Sequence, residues 1–187
     1  MMLKKSATNQ QEKLIEQCKK GSRKAQFELY KQHCKALYNA SLRIVQDTQE
    51  AEDIMQEAFL TAFEKLETYK GEVPIGAWLR RIAVNRSLDA LRKRKLDFEV
   101  QDEIKDEPVE QETEPDTNID IQTIKKCIGQ LPDNYRTVLT LYLIEGYDHE
   151  EISTILKISN STSRSQYARA RKKLQTFIRE ELAQPAI

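Results

Sequence analysis

"DHEEISTILKISNSTSRSQYARARKKL", Asp148 to Leu174, holds two helical patterns separated by a three-residue break. Asp148 followed three residues later by Glu151 forms a capping box, in which the Asp side chain accepts an orphan amide bond while Glu reaches back. A short helix then runs through Ile152, Ile155 and Leu156. After the turn "KIS", Ser159 can cap a second helix whose first turn holds Asn160, Ser161, Thr162 and Ser163. A short helix, a tight turn, and a helix polar at its start and basic further on form the layout of a DNA-reading helix-turn-helix. Small polar residues at the helix start let the backbone approach the major groove. Arg164 and Gln166 offer paired hydrogen bonds to guanine or adenine edges, while Arg169, Arg171, Lys172 and Lys173 can hold phosphates. Tyr167, Leu174 and Phe177 belong to the core face.

Upstream, "LPDNYRTVLTLYLIEGY" predicts another helix. Pro132 sits in its first turn, Val138, Leu139, Leu141 and Tyr142 supply apolar positions, and Gly146 stops it. Before it lies a block of acid. Residues 96–120 carry 1 basic and 11 acidic side chains, a net charge of −10, with two prolines and few large apolar residues. Such a composition buries too little surface to offset chain entropy and reads as a flexible linker. The flanking pieces are basic: residues 1–95 carry 19 basic and 12 acidic side chains, residues 121–187 carry 10 and 7. The formal net charge of zero therefore conceals two cationic domains around an acidic segment.

In the first piece, "DTQEAEDIMQEAFLTAFEKLETY" is the clearest amphipathic helix of the chain. Ala51, Ile54, Met55, Ala58, Phe59, Ala62, Phe63 and Leu66 recur at three-and-four spacing. Asp47 with Glu50 resembles a capping box and starts the helix. Glu52, Asp53, Gln56, Glu57 and Glu64 fall on the other side, which reads either as a solvated face or as an acidic docking surface. Phe27, Leu29, Tyr30, Leu37, Tyr38 and Leu42 of the preceding segment are expected to pack against the apolar stripe, with His33 and Cys34 as structural residues among them.

After the loop marked by Gly71 and Pro74 comes "IGAWLRRIAVNRSLDALRKRK", with Ile75, Trp78, Leu79, Ile82 and Leu91 on its apolar side. Arg80, Arg81, Arg86, Arg92, Lys93, Arg94 and Lys95 against a single acid, Asp89, make one end strongly cationic and attractive to phosphate. Trp78 fits the core, or a stack on an unpaired base. Asn85 is an amide among arginines that can read a base edge.

Composition narrows the function classes. With 39% hydrophobic and 32% charged residues and only 5 Gly and 5 Pro, the chain suits small helical domains rather than a many-turned β fold. No apolar run reaches the roughly 18 residues of a membrane span, and a cytoplasmic protein is expected. Cys18, Cys34 and Cys127 form no CxxC pair, and His33 and His149 are the two histidines. No catalytic residue, metal site or cofactor is expected.

The motifs "AEDIMQEAFLTAFEKL", "WLRRIAVNRSLDALRKRK", an acidic gap and "LPDNYRTVLTLYLIEGYDHEEISTILKISNSTSRSQYARARKKL", in that order, resemble a bacterial sigma factor of the extracytoplasmic-function group. The resemblance spans roughly residues 10–182. It implies an all-α fold of two small helical domains joined by a flexible acidic linker: a sigma region 2 bundle over 1–95, the linker over 96–120, and a region 4 helix-turn-helix over 121–187. It implies a protein that is no enzyme. Such a factor binds core RNA polymerase at the β′ clamp helices and the β flap, recognises the −10 and −35 elements of promoter DNA, and responds to a stress or envelope signal. In this group an anti-sigma factor commonly covers both domains.

By the same resemblance, Asp53, Gln56 and Glu57 match the motif that docks on the β′ clamp helices. Asn85, Arg86, Asp89 and Arg92 match the segment near the −10 element, and the loop Lys70, Gly71, Glu72 lies where the family captures a flipped base. Thr162, Arg164, Ser165, Gln166, Arg169, Arg171 and Lys172 fall on the −35-reading helix. Ser163 stands where Val is usual and Gln166 where Arg is usual, so a promoter sequence does not transfer. The linker implies a segment threaded through the RNA-exit path of the polymerase, or a plain solubilising spacer. Two other readings fit the residues: a helix-turn-helix regulator acting without polymerase, although no heptad run offers a dimerisation element, and a helical adaptor whose basic helices bind acidic proteins.

Overall fold

The computed structural model describes residues 2–96 and 119–183, with side chains described over 10–94 and 119–183. Among the described residues every regular element is helical. Two compact units, Met1–Leu91 and Arg92–Ile187, divide the chain. The acidic segment expected to be a linker lies outside the described residues, apart from its ends.

The first unit is built from α1 (Met2–Lys19), α2 (Arg23–Val45), α3 (Thr48–Glu64), a short 3-10 turn (Leu66–Thr68) and α4 (Ile75–Leu96), which runs on past the division. Its turns are set locally. Gly21, at φ 78°, carries the chain out of α1, and the Ser22 hydroxyl accepts the Ala25 amide to start α2. The expected cap of α3 is present: the Asp47 carboxylate accepts the Glu50 amide at 2.8 Å.

The α3 stripe forms the centre of this unit. Ala51, Ile54, Met55, Ala58, Phe59, Ala62 and Leu66 are buried, with Phe63 half-buried beside them. From α4, Ile75, Leu79, Ala83, Val84, Leu88 and Leu91 are buried, and Trp78 packs half-buried against the core with its ring 5.4 Å from Tyr69.

One expectation fails in α2. Phe27 is 60% exposed, because the inward stripe of this helix is Ala25, Leu29, Leu37, Ala40 and Ile44. Phe27 lies two residues, about 200°, from both Ala25 and Leu29 and so faces away. It stacks instead on Tyr30, under the Lys31 ammonium.

The second unit comprises α5 (Ile121–Gly129), α6 (Asp133–Leu139), a π-helical turn (Thr140–Ile144), α7 (His149–Leu156) and α8 (Asn160–Ala183). Pro132 occupies the cap position just before α6 rather than its first turn, and its carbonyl accepts the Arg136 amide at 2.8 Å. Leu131, Tyr135, Leu139 and Ala170 form a buried cluster against Ile128, Leu174 and Phe177. Arg136 is buried as well, donating to the Leu131 carbonyl at 2.7 Å and pairing with Asp133. The π-helical turn advances the chain differently from an α-helix. Val138, Leu139 and Leu141 stay inside, while Tyr142, expected with them, sits at the margin with its ring stacked on His149, and Leu143 and Ile144 are exposed. Gly146, at φ 78°, ends the segment.

Candidate functional site

Three exposed surfaces carry the residues singled out from the sequence. The first lies on α3, where Asp53, Gln56 and Glu57 are exposed at i, i+3 and i+4 above the buried stripe. Leu60 continues the same face and is 64% exposed, an apolar side chain among carboxylates. Beside it an open cleft of about 360 Å³ runs between α2 and α3, lined by Tyr30, Cys34, Lys35, Tyr38, Glu52, Met55 and Gln56.

The second surface is on α4 and the loop before it. Asn85, Asp89 and Arg92 share one exposed face at four-and-three spacing, in line with Arg81. Arg86 is turned elsewhere. Its guanidinium pairs with Glu57 and donates from Nε to the Thr61 hydroxyl at 3.2 Å, with a second bond from the same fork. One residue of the acidic face and one of the basic helix are thereby joined, a link that sequence spacing gave no means of foreseeing.

Lys70, Gly71 and Glu72 are exposed in a loop whose turn depends on Gly71 at φ 80°. Tyr69 braces its base: the phenol donates to the Val73 carbonyl at 2.6 Å, and the Lys19 ammonium donates to the Tyr69 carbonyl. Nothing in the sequence marks Tyr69 for this role, because an aromatic residue before a glycine turn carries no distinctive signal.

The third surface is α8. The Ser159 hydroxyl accepts the Thr162 amide at 2.9 Å, the cap expected. Arg164 and Ser165 are exposed, Arg169 and Arg171 follow on exposed positions, and Thr162, Gln166 and Lys172 are half-buried at the margins. Arg164 donates from Nε to the Asn160 side chain at 2.8 Å, and the Ser165 hydroxyl donates back to the Thr162 carbonyl. Lys173, expected to hold phosphate, lies over the Phe177 ring at 5.8 Å.

Ser163 leaves this polar set. It is fully buried and shares a 2.9 Å hydrogen bond with Nδ1 of His149. Burial and then the Arg164 guanidinium hold the His149 imidazole below its usual range, against an opposing pull from Asp148. Among the described residues no group of three His, Cys, Asp or Glu could hold a metal ion, and no helix is long and apolar enough to cross a membrane.

Two family models match the chain in order: Sigma-70 region 2 over residues 29–96 and Sigma-70 region 4 over residues 121–174. The RNA polymerase sigma-H factor of Pseudomonas aeruginosa is 33% identical over 91% of this chain and 97% of its own. This chain belongs to the sigma-70 family of RNA polymerase sigma factors, extracytoplasmic-function group. The group assignment rests on relatives such as the ECF sigma factor SigW of Bacillus subtilis, 31% identical over 90% of this sigma factor and 96% of that protein. In fold it is similar to the Bartonella quintana sigma factor RpoE, solved in complex with the anti-sigma factor NepR, with a TM-score of 0.56 and 24% identity over 81% of this chain and 95% of that one. The α3 and α4 surfaces lie within its region 2, and α8 starts within its region 4.

Proposed function

We propose that this sigma factor docks on core RNA polymerase through Asp53, Gln56 and Glu57 and selects promoters through its two domains. Asn85, Arg86, Asp89 and Arg92, with the loop Lys70 to Glu72, act at the −10 element. Thr162, Arg164, Ser165, Gln166, Arg169, Arg171 and Lys172 act at the −35 element. The observation that carries this reading is the pair of region matches, in family order, over helices whose motif residues mostly face solvent.

The protein supplies binding energy rather than chemistry. On α8, base-edge contacts discriminate sequence while phosphate contacts hold register. In region 2, capture of an unpaired base offsets the cost of unstacking it. Catalysis belongs to the polymerase, and a factor acting with bacterial core polymerase works in the cytoplasm. An anti-sigma partner that covers both domains, released by a stress or envelope signal, fits the group.

Run-off transcription from pooled promoter DNA, with core polymerase alone and with the protein added, tests this. Starts that appear only with the protein and share two upstream motifs are expected. If core polymerase neither binds it nor changes its starts, while the protein alone selects a DNA site, the role is that of an independent regulator.

A further inference from the structure

Ser163 is the inward-facing residue in the first turn of α8. A buried hydroxyl needs a hydrogen-bond partner. Here the partner is His149, the first residue of α7, itself 8% exposed. The His149 ring is held on its other sides too. Tyr142 stacks on it at 4.4 Å with an interplanar angle of 16°, and Tyr167, one turn beyond Ser163, meets its edge at 5.7 Å. The start of α7 is pinned by the Asp148–Glu151 capping box. His149 is therefore a fixed point against which the start of α8 is bonded.

Beyond Tyr167 the packing of α8 is apolar at Ala170, Leu174 and Phe177, and its far end is tied to α5 by a partly exposed ion pair between Glu181 and Lys126. Apolar contact is non-directional and tolerates small rotations of a helix, whereas a hydrogen bond weakens steeply when misaligned. With side chains, a helix has a radius of about 5–6 Å, so a rotation of about 10° moves its outer atoms by about 1 Å, enough to spoil a base contact. Arg164 and Gln166 lie about 100° and about 300° round the helix from Ser163. Both are displaced by any such rotation.

We propose that the buried His149–Ser163 hydrogen bond sets the rotation of α8 on α7 and thereby the −35 base preference, which makes His149 and Ser163 positioning residues that touch no DNA. This rests on α8 being the −35-reading helix.

The test uses full-length protein with core polymerase on a promoter library randomised in the −35 segment. Ser163→Val and Ser163→Ala remove the hydroxyl, whereas Ser163→Thr and His149→Asn keep a polar group near the same place. Core binding and thermal unfolding are measured alongside. Ser163→Val and Ser163→Ala are expected to bind core as before and to discriminate between bases roughly fivefold less. That factor corresponds to one net hydrogen bond of about 1 kcal/mol at 1.4 kcal/mol per tenfold. Ser163→Thr and His149→Asn are expected to restore most of the preference, which a loss of stability alone would not explain. If Ser163→Val unfolds at assay temperature, Ser163→Ala, which adds no volume, decides. A folded Ser163→Ala protein with the wild-type base profile overturns the proposal. A wild-type protein that initiates transcription without selecting any −35 base overturns the reading of α8 itself, and the positioning role with it.

Discussion

Replacing Arg86 by Ala removes a bridge between α3 and α4, so its first effect is on stability. The guanidinium pairs with Glu57 and bonds the Thr61 hydroxyl. The side chains of Arg86 and Glu57 are 36% and 58% exposed, so solvent screens the ion pair and limits it to about 0.2–1 kcal/mol. The bonds to Thr61 add about 1 kcal/mol net. The loss of about 1–2 kcal/mol corresponds, at roughly 4–8 °C per kcal/mol for a domain of this size, to a melting point lower by roughly 5–15 °C. Trp78, the one tryptophan of the chain, packs in the same unit, so its fluorescence follows this unit. Glu57→Gln, which leaves the Thr61 bonds in place, should cost only the ion-pair share and do so mainly at low salt. An Arg86→Ala protein whose Trp78 transition stays within about 1 °C of wild type would refute the bridge and leave Arg86 to the −10 element alone.

Both histidines should make stability depend on pH. Burial, with Arg80 for His33 and Arg164 for His149, holds each below its usual value of about 6.5. The unfolded chain then binds more protons as pH falls, so the contribution is complete above about pH 6.5 and is lost as pH drops through the folded values. The Trp78 melting point should fall from pH 7 to pH 5 less steeply in His33→Gln than in wild type, and equal slopes would contradict this. Cys18 and Cys127 are buried and burial raises both thiols, while Cys34 is half-buried at the α2–α3 cleft. Native thiol labelling should thus give one fast site, abolished by Cys34→Ser; rapid modification of two or three would contradict it. Gln166→Ala should relax preference at one −35 base by about 1–3 kcal/mol, whereas Lys172→Ala should weaken promoter binding with little sequence dependence, as read by competition among −35 variants. An unchanged base profile in Gln166→Ala would leave the reading to Arg164.

Much of this protein is legible along the chain because its decisive patterns are local. A helical stripe such as Ala51 to Leu66 depends on 3.6-residue periodicity, and the caps at Asp47, Asp148 and Ser159 depend on side chains three residues from the amides they serve. The order of the motifs then identified the family without any coordinates. What local pattern could not decide was the direction in which ambiguous residues point. Phe27 and Tyr142 are both apolar enough to predict inward positions, but the rotation of α2 turns Phe27 to solvent and the π-helical turn leaves Tyr142 at the margin. Ser163 looks like its exposed neighbours and is buried, because α8 must turn one side of its first turn toward His149. Arg86 and Glu57 are 29 residues apart and become partners only when α4 folds across α3. Spacing along a helix reports which residues share a face, but which face meets which is settled by packing between helices, where burial and hydrogen bonding act across segments distant in sequence.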